Sequence, residues 1–371
     1  MVGVLVGALP RAPLAGPAGG KDPKAALGAK ALEILYSAML NDDSDIRVLA
    51  AEQWGPIGNR ASARVLKRAL KDRNANVRIA AAGSLYQLGD KSGVVEVEKI
   101  VEAAPDPPEE GASLSAVQEL RYIARNKVRV VASRALGRMA EPSSVKVLEG
   151  ALSDRDGAVR DAAAVALARL GSDREMGSIM DAVGSDNTQI RVKAARALGE
   201  VASVSAAPEA VRYLKALAKD PSHQVRAAAM EALGESGSVL GIEELSAGAE
   251  DQNELVRSKA VAAMGRLGAG GAVQHLEKAR RTSANVFIEL LAIAGLARAG
   301  EKVDLSAARR ALYQHDVDTR VLAVEVLETV GGDAAIEELE SALDDREMRV
   351  RVRAAAALVN LLQRAGGSRK K

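Results

Sequence analysis

The sequence predicts an all-α chain: an α-solenoid, or superhelix, of about ten stacked helical hairpins with an elongated shape. Three observations carry this expectation. A phrase of Val-Arg, two variable residues, two small residues and then Leu recurs at close to 31 residues. Its apolar positions lie three, four and seven apart, the spacing of one helix face. The apolar mass is Ala, Val and Leu, with aromatics at 2%, and small side chains let helix backbones approach closely. Few runs alternate with the period of two that marks a strand.

The Arg of each phrase serves as an anchor. The anchors are Arg47, Arg78, Arg129, Arg160, Arg191, Arg226, Arg257, Glu289, Arg320 and Arg351, separated by 31, 51, 31, 31, 35, 31, 32, 31 and 31 residues. Three residues after every anchor stands Ala, from Ala50 to Ala354, and seven after stands Trp54, Met264 or Leu. The Ala row permits close contact and the large row fills the space beside it. Eleven after the anchor, Gly58, Gly89, Gly171, Gly237, Gly268, Gly300 and Gly331 suit a left-handed helix C-terminus. Upstream of each anchor lies a second amphipathic stretch, such as 63–70 or 335–343. An acidic turn joins the two, at Asp72, Asp154, Asp186, Asp220, Asp251, Asp316 and Asp344, where Asp is expected to cap the second helix. Second helices are predicted at 45–57, 75–88, 156–170, 187–201, 222–235, 252–267, 284–298, 317–330 and 346–362. The anchor row is expected to be structural, each Arg pairing with an Asp of a neighbouring turn.

Asp followed by Val-Arg, Ala-Ala and Ala-Leu-Gly resembles the short HEAT-like repeat first associated with phycobilisome lyases, over roughly residues 25–365. The signatures of tetratricopeptide and ankyrin repeats are absent. The resemblance implies a single solenoid over 24–365, between a leader at 1–23 and a basic tail at 366–371, with the second helix of each hairpin lining a concave face. The leader reads in two ways. Val2–Leu9 can be the apolar region of a signal peptide with Ala18-Gly19-Gly20 as a cleavage site, although the basic segment before it is missing; or 1–23 is a plain Gly/Pro/Ala segment. Either a cytoplasmic or an exported location follows, and the eight-residue run is too short to span a bilayer.

The regularity breaks at the 51-residue step, which places an insertion near 102–122. Its acidic, Pro-containing part, Glu102–Gly111, forbids regular helix. One long helix is expected to follow, from Ser113 to Met139. The insertion reads as a tolerated surface loop or as a loop that fills the concave groove.

Composition narrows the chemistry. The 51 basic and 49 acidic residues give a net charge of +2, so there is no bulk pull toward nucleic acid or an anionic membrane. With no cysteine there is neither a disulfide nor a thiolate metal site. None of His223, His275 and His315 is followed by Glu, so the paired His-Glu dipeptides of the HEAT-repeat deoxyhypusine hydroxylases are missing. No phosphate loop, nucleophile elbow or zinc motif is present. No cofactor, metal or catalytic residue is therefore assigned.

The expected function is a non-catalytic scaffold for a protein or peptide partner. The alternative is a lyase-like or chaperone-like accessory of a cofactor-bearing protein. Nucleic-acid binding ranks third because stacking aromatics are scarce. Positions five and nine after the anchor are expected to face the groove. They give a basic patch of Arg134, Arg138, Arg169 and Arg196 beside acidic Glu231 and Glu235, and the surface is expected to turn apolar toward the C-terminus at Leu290, Leu291, Val321 and Leu322. Arg169 is expected to be exposed and dispensable to stability.

Overall fold

A computed structural model describes residues 23–58, 60–104, 115–205, 208–268 and 270–367. The described residues form 20 α-helices and no strand. Ten outer helices, α1 (Pro23–Ala38), α3 (Arg60–Ala69), α5 (Val94–Glu102), α7 (Val145–Ala151), α9 (Asp173–Ala182), α11 (Pro208–Leu217), α13 (Ile242–Gly248), α15 (Val273–Thr282), α17 (Ser306–Ala311) and α19 (Gly332–Ala342), alternate along the chain with ten inner ones. The inner helices are α2 (Ser44–Ile57), α4 (Ala75–Gln87), α6 (Ala116–Met139), α8 (Gly157–Arg169), α10 (Thr188–Ser205), α12 (His223–Glu235), α14 (Glu254–Leu267), α16 (Val286–Arg298), α18 (Val317–Val330) and α20 (Met348–Gly367).

Local signals account for the ends of these helices. Asp43, Asn74, Asp156, Asn253, Asn285 and Asp316 accept a backbone N–H of the first turn of the inner helix that follows. All seven glycines expected at the C-termini have positive φ, from 56° to 94°. The third hairpin has Ala140 there instead, at φ 52°. The fifth has neither, and α10 runs on to Ser205. The long helix of the third hairpin, α6, is continuous from Ala116 and opens with a capping box between Ser115 and Gln118. The acidic part of the insertion, together with the leader and the tail end, lies largely outside the described residues.

The expected capping role of the turn acids needs correction. Of the seven, only Asp316 caps a helix. Asp72, Asp154, Asp220 and Asp251 stand two residues before the cap position. Each accepts the N–H two residues on, and each takes the guanidinium of the preceding unit's anchor. Arg47, Arg191, Arg226 and Arg320 reach forward through Nε and Nη2 to both carboxylate oxygens of Asp72, Asp220, Asp251 and Asp345, at 2.7–3.1 Å. Nη1 turns back. In eight anchors it donates to the carbonyls five and six residues earlier, in the anchor's own turn.

In the third unit those two carbonyls belong to α6. Arg129 instead donates to the Val101 carbonyl, Asn126 and Asp154. Glu289 inverts the polarity and lies 3.6 Å from Arg310 of the next unit. The receiving residue decides which interfaces are clamped. Arg160, Arg257 and Arg351 face turns whose corresponding residue is Ser185, Ser283 or Asn41, and each bonds carbonyls of its own turn, Arg351 adding a contact to the Met348 sulfur at 3.1 Å, without an ion pair to the next turn.

Every Ala of the row three after the anchor and every residue of the row seven after is buried. Successive inner helices pack on one another, whereas among outer helices only α5 and α7 do so closely. Small residues explain the contrast. A Cβ placed on Gly137, Gly199 or Gly234 would lie 2.6–2.9 Å from Ala166, Ala232 or Ala263 of the next inner helix. The inner helices are drawn together while the outer ones splay, so every hairpin acts as a wedge.

The wedges sum to a closed ring, which replaces the elongated rod expected from the sequence. α20 packs against both α1 and α2. Leu27, Ala31 and Leu35 share one apolar core with Leu358 and Leu361, and Lys24 and Lys30 pair with Asp333 and Asp344 at 2.7 and 2.9 Å. These pairs are exposed, worth at most about 1 kcal/mol each. Burial of Leu27 and Leu35, at about 1.5–3 kcal/mol per large apolar side chain, holds the seam.

Two substitutions test this account. Ala140→Gly removes a left-handed alanine and should raise stability by about 1 kcal/mol in denaturant unfolding, because only Gly adopts that conformation without strain. Asn41→Asp places a carboxylate opposite Arg351 and should install the missing clamp at the seam. Thermal unfolding should then shift upward by the equivalent of about 1 kcal/mol, the net scale of a typical hydrogen bond. No shift would mean that the first and last hairpins meet out of register.

Candidate functional site: the inner wall of the ring

At positions five and nine after the anchor the inner helices carry many charged residues, although Ala294 and Ala356 at position five lie in the core. Arg134 of α6 reaches past α8 to Glu200 of α10, with Nε 3.5 Å from the carboxylate. Lys259 pairs with Glu231 at 2.7 Å, Arg298 with Glu325 at 3.0 Å, and Asn360 donates to Glu328 at 2.9 Å. Burial pushes the Glu52 carboxyl above its ordinary value, against the pull of Arg353 and Arg138. Glu235 is likewise pushed up, first by the crowding of the wall and then by Glu231, with Arg266 opposing.

The expected site residues divide. Arg138 and Arg196 are exposed on the wall, and among the described residues neither has a carboxylate at ion-pair distance. Arg134 is also exposed and holds Glu200 only at the longer distance given above. Glu231 is tied to Lys259, and Glu235 is exposed.

Arg169 is not the free, exposed side chain expected. It is half-buried, donates to the Gly137 carbonyl at 3.1 Å, and bonds the Glu200 carbonyl and, at 3.0 Å, Ser203. Burial lowers its pKa. Arg298 repeats the pattern: it donates to the Gly265 carbonyl at 2.8 Å and reaches forward to Glu325. Arg169 and Arg298 are thus straps across three inner helices.

The expected apolar surface also fails. Leu322 is 6% exposed and Leu290 is fully buried; Leu291 and Val321 pack against the same core. Leu322, two after its anchor, is thus a core residue, as Ala162 and Ala228 are at the same position of their units.

Sequence reading passed over Glu52, Arg298, Glu325 and Arg353, although Glu52 and Glu325 stand five after their anchors and Arg298 nine after. The spacing that marks Arg134 and Arg138 therefore marks these three as well. Among the described residues no group of three or more His, Cys, Asp or Glu side chains could hold a metal ion, and no helix is long and apolar enough to cross a membrane.

The two arginine classes separate in a stability measurement. Arg169→Ala should cost about 1–3 kcal/mol, since it removes the donor to the buried Gly137 carbonyl and the tie to the next inner helix, whereas Arg196→Ala should fall within about 0.5 kcal/mol of the parent. Equal denaturant midpoints would reject the strap. Ala163→Leu, in the close-packed row, should cost about 1–3 kcal/mol by overpacking.

Comparison with known protein families identifies the repeat. The profile of HEAT repeats matches residues 31–121, 115–187, 178–247 and 211–297. Among solved structures the chain is similar to an engineered protein, at 20% identity over 90% of this chain and 98% of that one, with a TM-score of 0.34. It is similar to the complex of CpcE and CpcF of phycocyanin lyase from Nostoc, at 19% identity over 74% and 96%, with a TM-score of 0.38. A third is human deoxyhypusine hydroxylase in complex with glycerol, at 18% identity over 91% and 97%, with a TM-score of 0.33. No curated protein sequence matches the chain. The profile matches overlap into one stretch from residue 31 to 297, well over half of the 371 residues, and the chain belongs to the HEAT-repeat family.

Proposed function

We propose that the ring is a non-catalytic protein-interaction scaffold that holds an extended acidic segment of a partner protein against its inner wall. The observation that carries this reading is the pair Arg138 and Arg196. Around them several of the wall's charges are paired: Arg134 with Glu200, Lys259 with Glu231, Arg298 with Glu325. These two guanidiniums stand exposed with no carboxylate at ion-pair distance among the described residues, Glu52 acting on Arg138 only from farther off. Unmatched like charges in a concave, partly desolvated space focus a positive potential and favour an anionic ligand. Arginine suits carboxylates because its planar fork bonds both oxygens at once.

A peptide fits better than nucleic acid. The same wall carries Glu52, Glu200, Glu231, Glu235, Glu325 and Glu328, which would repel a continuous phosphate backbone. A peptide can interleave acidic and neutral side chains to suit them. Base stacking calls for aromatic platforms, and the chain has one Phe, one Trp and five Tyr in 371 residues. The acidic insertion residues Asp106, Glu109 and Glu110 lie outside the described residues, and a role for them as an internal competitor belongs to the same reading.

A fluorescent peptide of alternating Glu and Gly tests it. The parent protein should bind the peptide at low ionic strength, and Arg138→Glu with Arg196→Glu should weaken binding roughly tenfold or more with little change in melting temperature. Salt near 0.5 M should abolish it. Single-stranded DNA run beside the peptide decides the class of partner: tighter binding of DNA would overturn the peptide reading. Peptide binding unaffected by the double reversal would place it elsewhere on the molecule.

A further inference from the structure

We infer that the channel is loaded by threading, so that the partner segment is an acidic chain terminus, a free N- or C-terminal tail, rather than an internal segment between folded domains. This rests on the reading of the inner wall as the binding surface. It goes further because the topology of the ring, and not its charge, restricts who can enter.

Three observations carry it. The first is closure in register. At the seam α1 meets α19 and α20 through the same kinds of contact that join neighbouring hairpins elsewhere. Outer helices pair by ions, Lys24 with Asp333 as Arg309 with Glu338, and the inner helix α20 packs on α2. The second is the core under the seam. Leu27, Ala31, Leu35, Leu358 and Leu361 are buried there, so opening the ring exposes apolar surface on both faces, and the closed form is the state a partner meets.

The third is size. Ten inner helices spaced about 8–10 Å from axis to axis make a circle about 25–32 Å across. Subtracting one helix diameter of about 10–12 Å leaves an opening of about 15–20 Å. The Gly–Ala contacts between inner helices favour the lower figure. An extended chain, or a single helix about 10–12 Å wide, passes through such an opening. A folded domain of about 100 residues, with a radius of gyration of about 13 Å, does not.

A partner flanked by domains on both sides therefore cannot place its linker along Arg138 and Arg196. A partner with a free acidic tail can. The tail needs to span only the depth of the ring, which for inner helices of 13 residues such as α8 is about 20 Å, or roughly six residues of extended chain.

Entrapment provides the test. The chain has no cysteine, so Lys30→Cys with Asp344→Cys gives a unique pair, which a bis-maleimide bridges to lock the seam. The probe is a Glu/Gly peptide of about 30 residues, about 100 Å when extended, with biotin at both ends. Streptavidin is added either before or after the peptide meets the locked ring, and the mixture is passed over gel filtration in about 1 M salt, where charge contacts are screened. Threading predicts that peptide stoppered after loading co-elutes with the ring and that peptide stoppered beforehand does not. Low-salt binding without retention of the post-stoppered peptide would mean rim or hairpin binding and would overturn threading. Retention of the pre-stoppered peptide would overturn it too. No binding at low salt by the unstoppered peptide would instead remove the underlying reading of the wall, and threading with it.

Discussion

The architecture depends on one side chain used in two directions. The anchor arginine holds the carbonyls of its own turn through one nitrogen, and through the other two it grips the aspartate of the next turn. That aspartate in turn accepts the N–H that shapes its own loop. A guanidinium is suited to this because it offers five donors in a rigid plane; a lysine could satisfy one end of the arrangement but not both. The pairs at Arg47, Arg129 and Arg320 are nearly enclosed. Desolvation there is repaid only because every donor finds an acceptor in good geometry. Turn conformation and inter-repeat spacing are thereby set by the same group. Where the acceptor is Ser or Asn instead of Asp, the interface relies on packing alone.

Packing supplies the curvature. A solenoid is close to a sum of nearest-neighbour contacts, and here each contact is asymmetric: glycine against alanine on the inner side, larger side chains and acidic turns on the outer. Ten repetitions of a small rotation bring the last hairpin back to the first. The closed array has no exposed terminal repeat, and the apolar faces that would otherwise need polar capping units cover each other. Its inner helices enclose a channel instead of lining an open groove.

The channel wall shows how a residue type can carry opposite roles at equivalent positions. Arg138 and Arg169 both stand nine residues after an anchor. Arg169 finds Gly137, Glu200 and Ser203 and becomes part of the scaffold. Arg138 keeps an exposed guanidinium. Part of the wall's charge is paired within the wall, so net charge alone says little about what remains for a ligand.

Much of the protein was legible before any coordinates. The period, the Ala and large-apolar rows, the left-handed glycines and the inner-helix boundaries all follow from local rules: a helix face has a fixed spacing, and a left-handed C-terminus tolerates little besides Gly. The pairing of anchors with neighbouring turn acids was legible as well, since a charge recurring with the repeat needs a recurring partner. Other features depend on angles that no residue pattern states. Closure is set by the summed rotation of ten wedges, where an error of a few degrees per hairpin separates a ring from an open spiral. The burial of Leu322 in the core and the reach of Arg169 to two neighbouring helices likewise depend on how the hairpins pack. Sequence alone determined the repeating hairpin and the chemistry of its turns. Tertiary structure decided that the array closes and which arginines stay free, because both depend on how far each hairpin turns relative to the last.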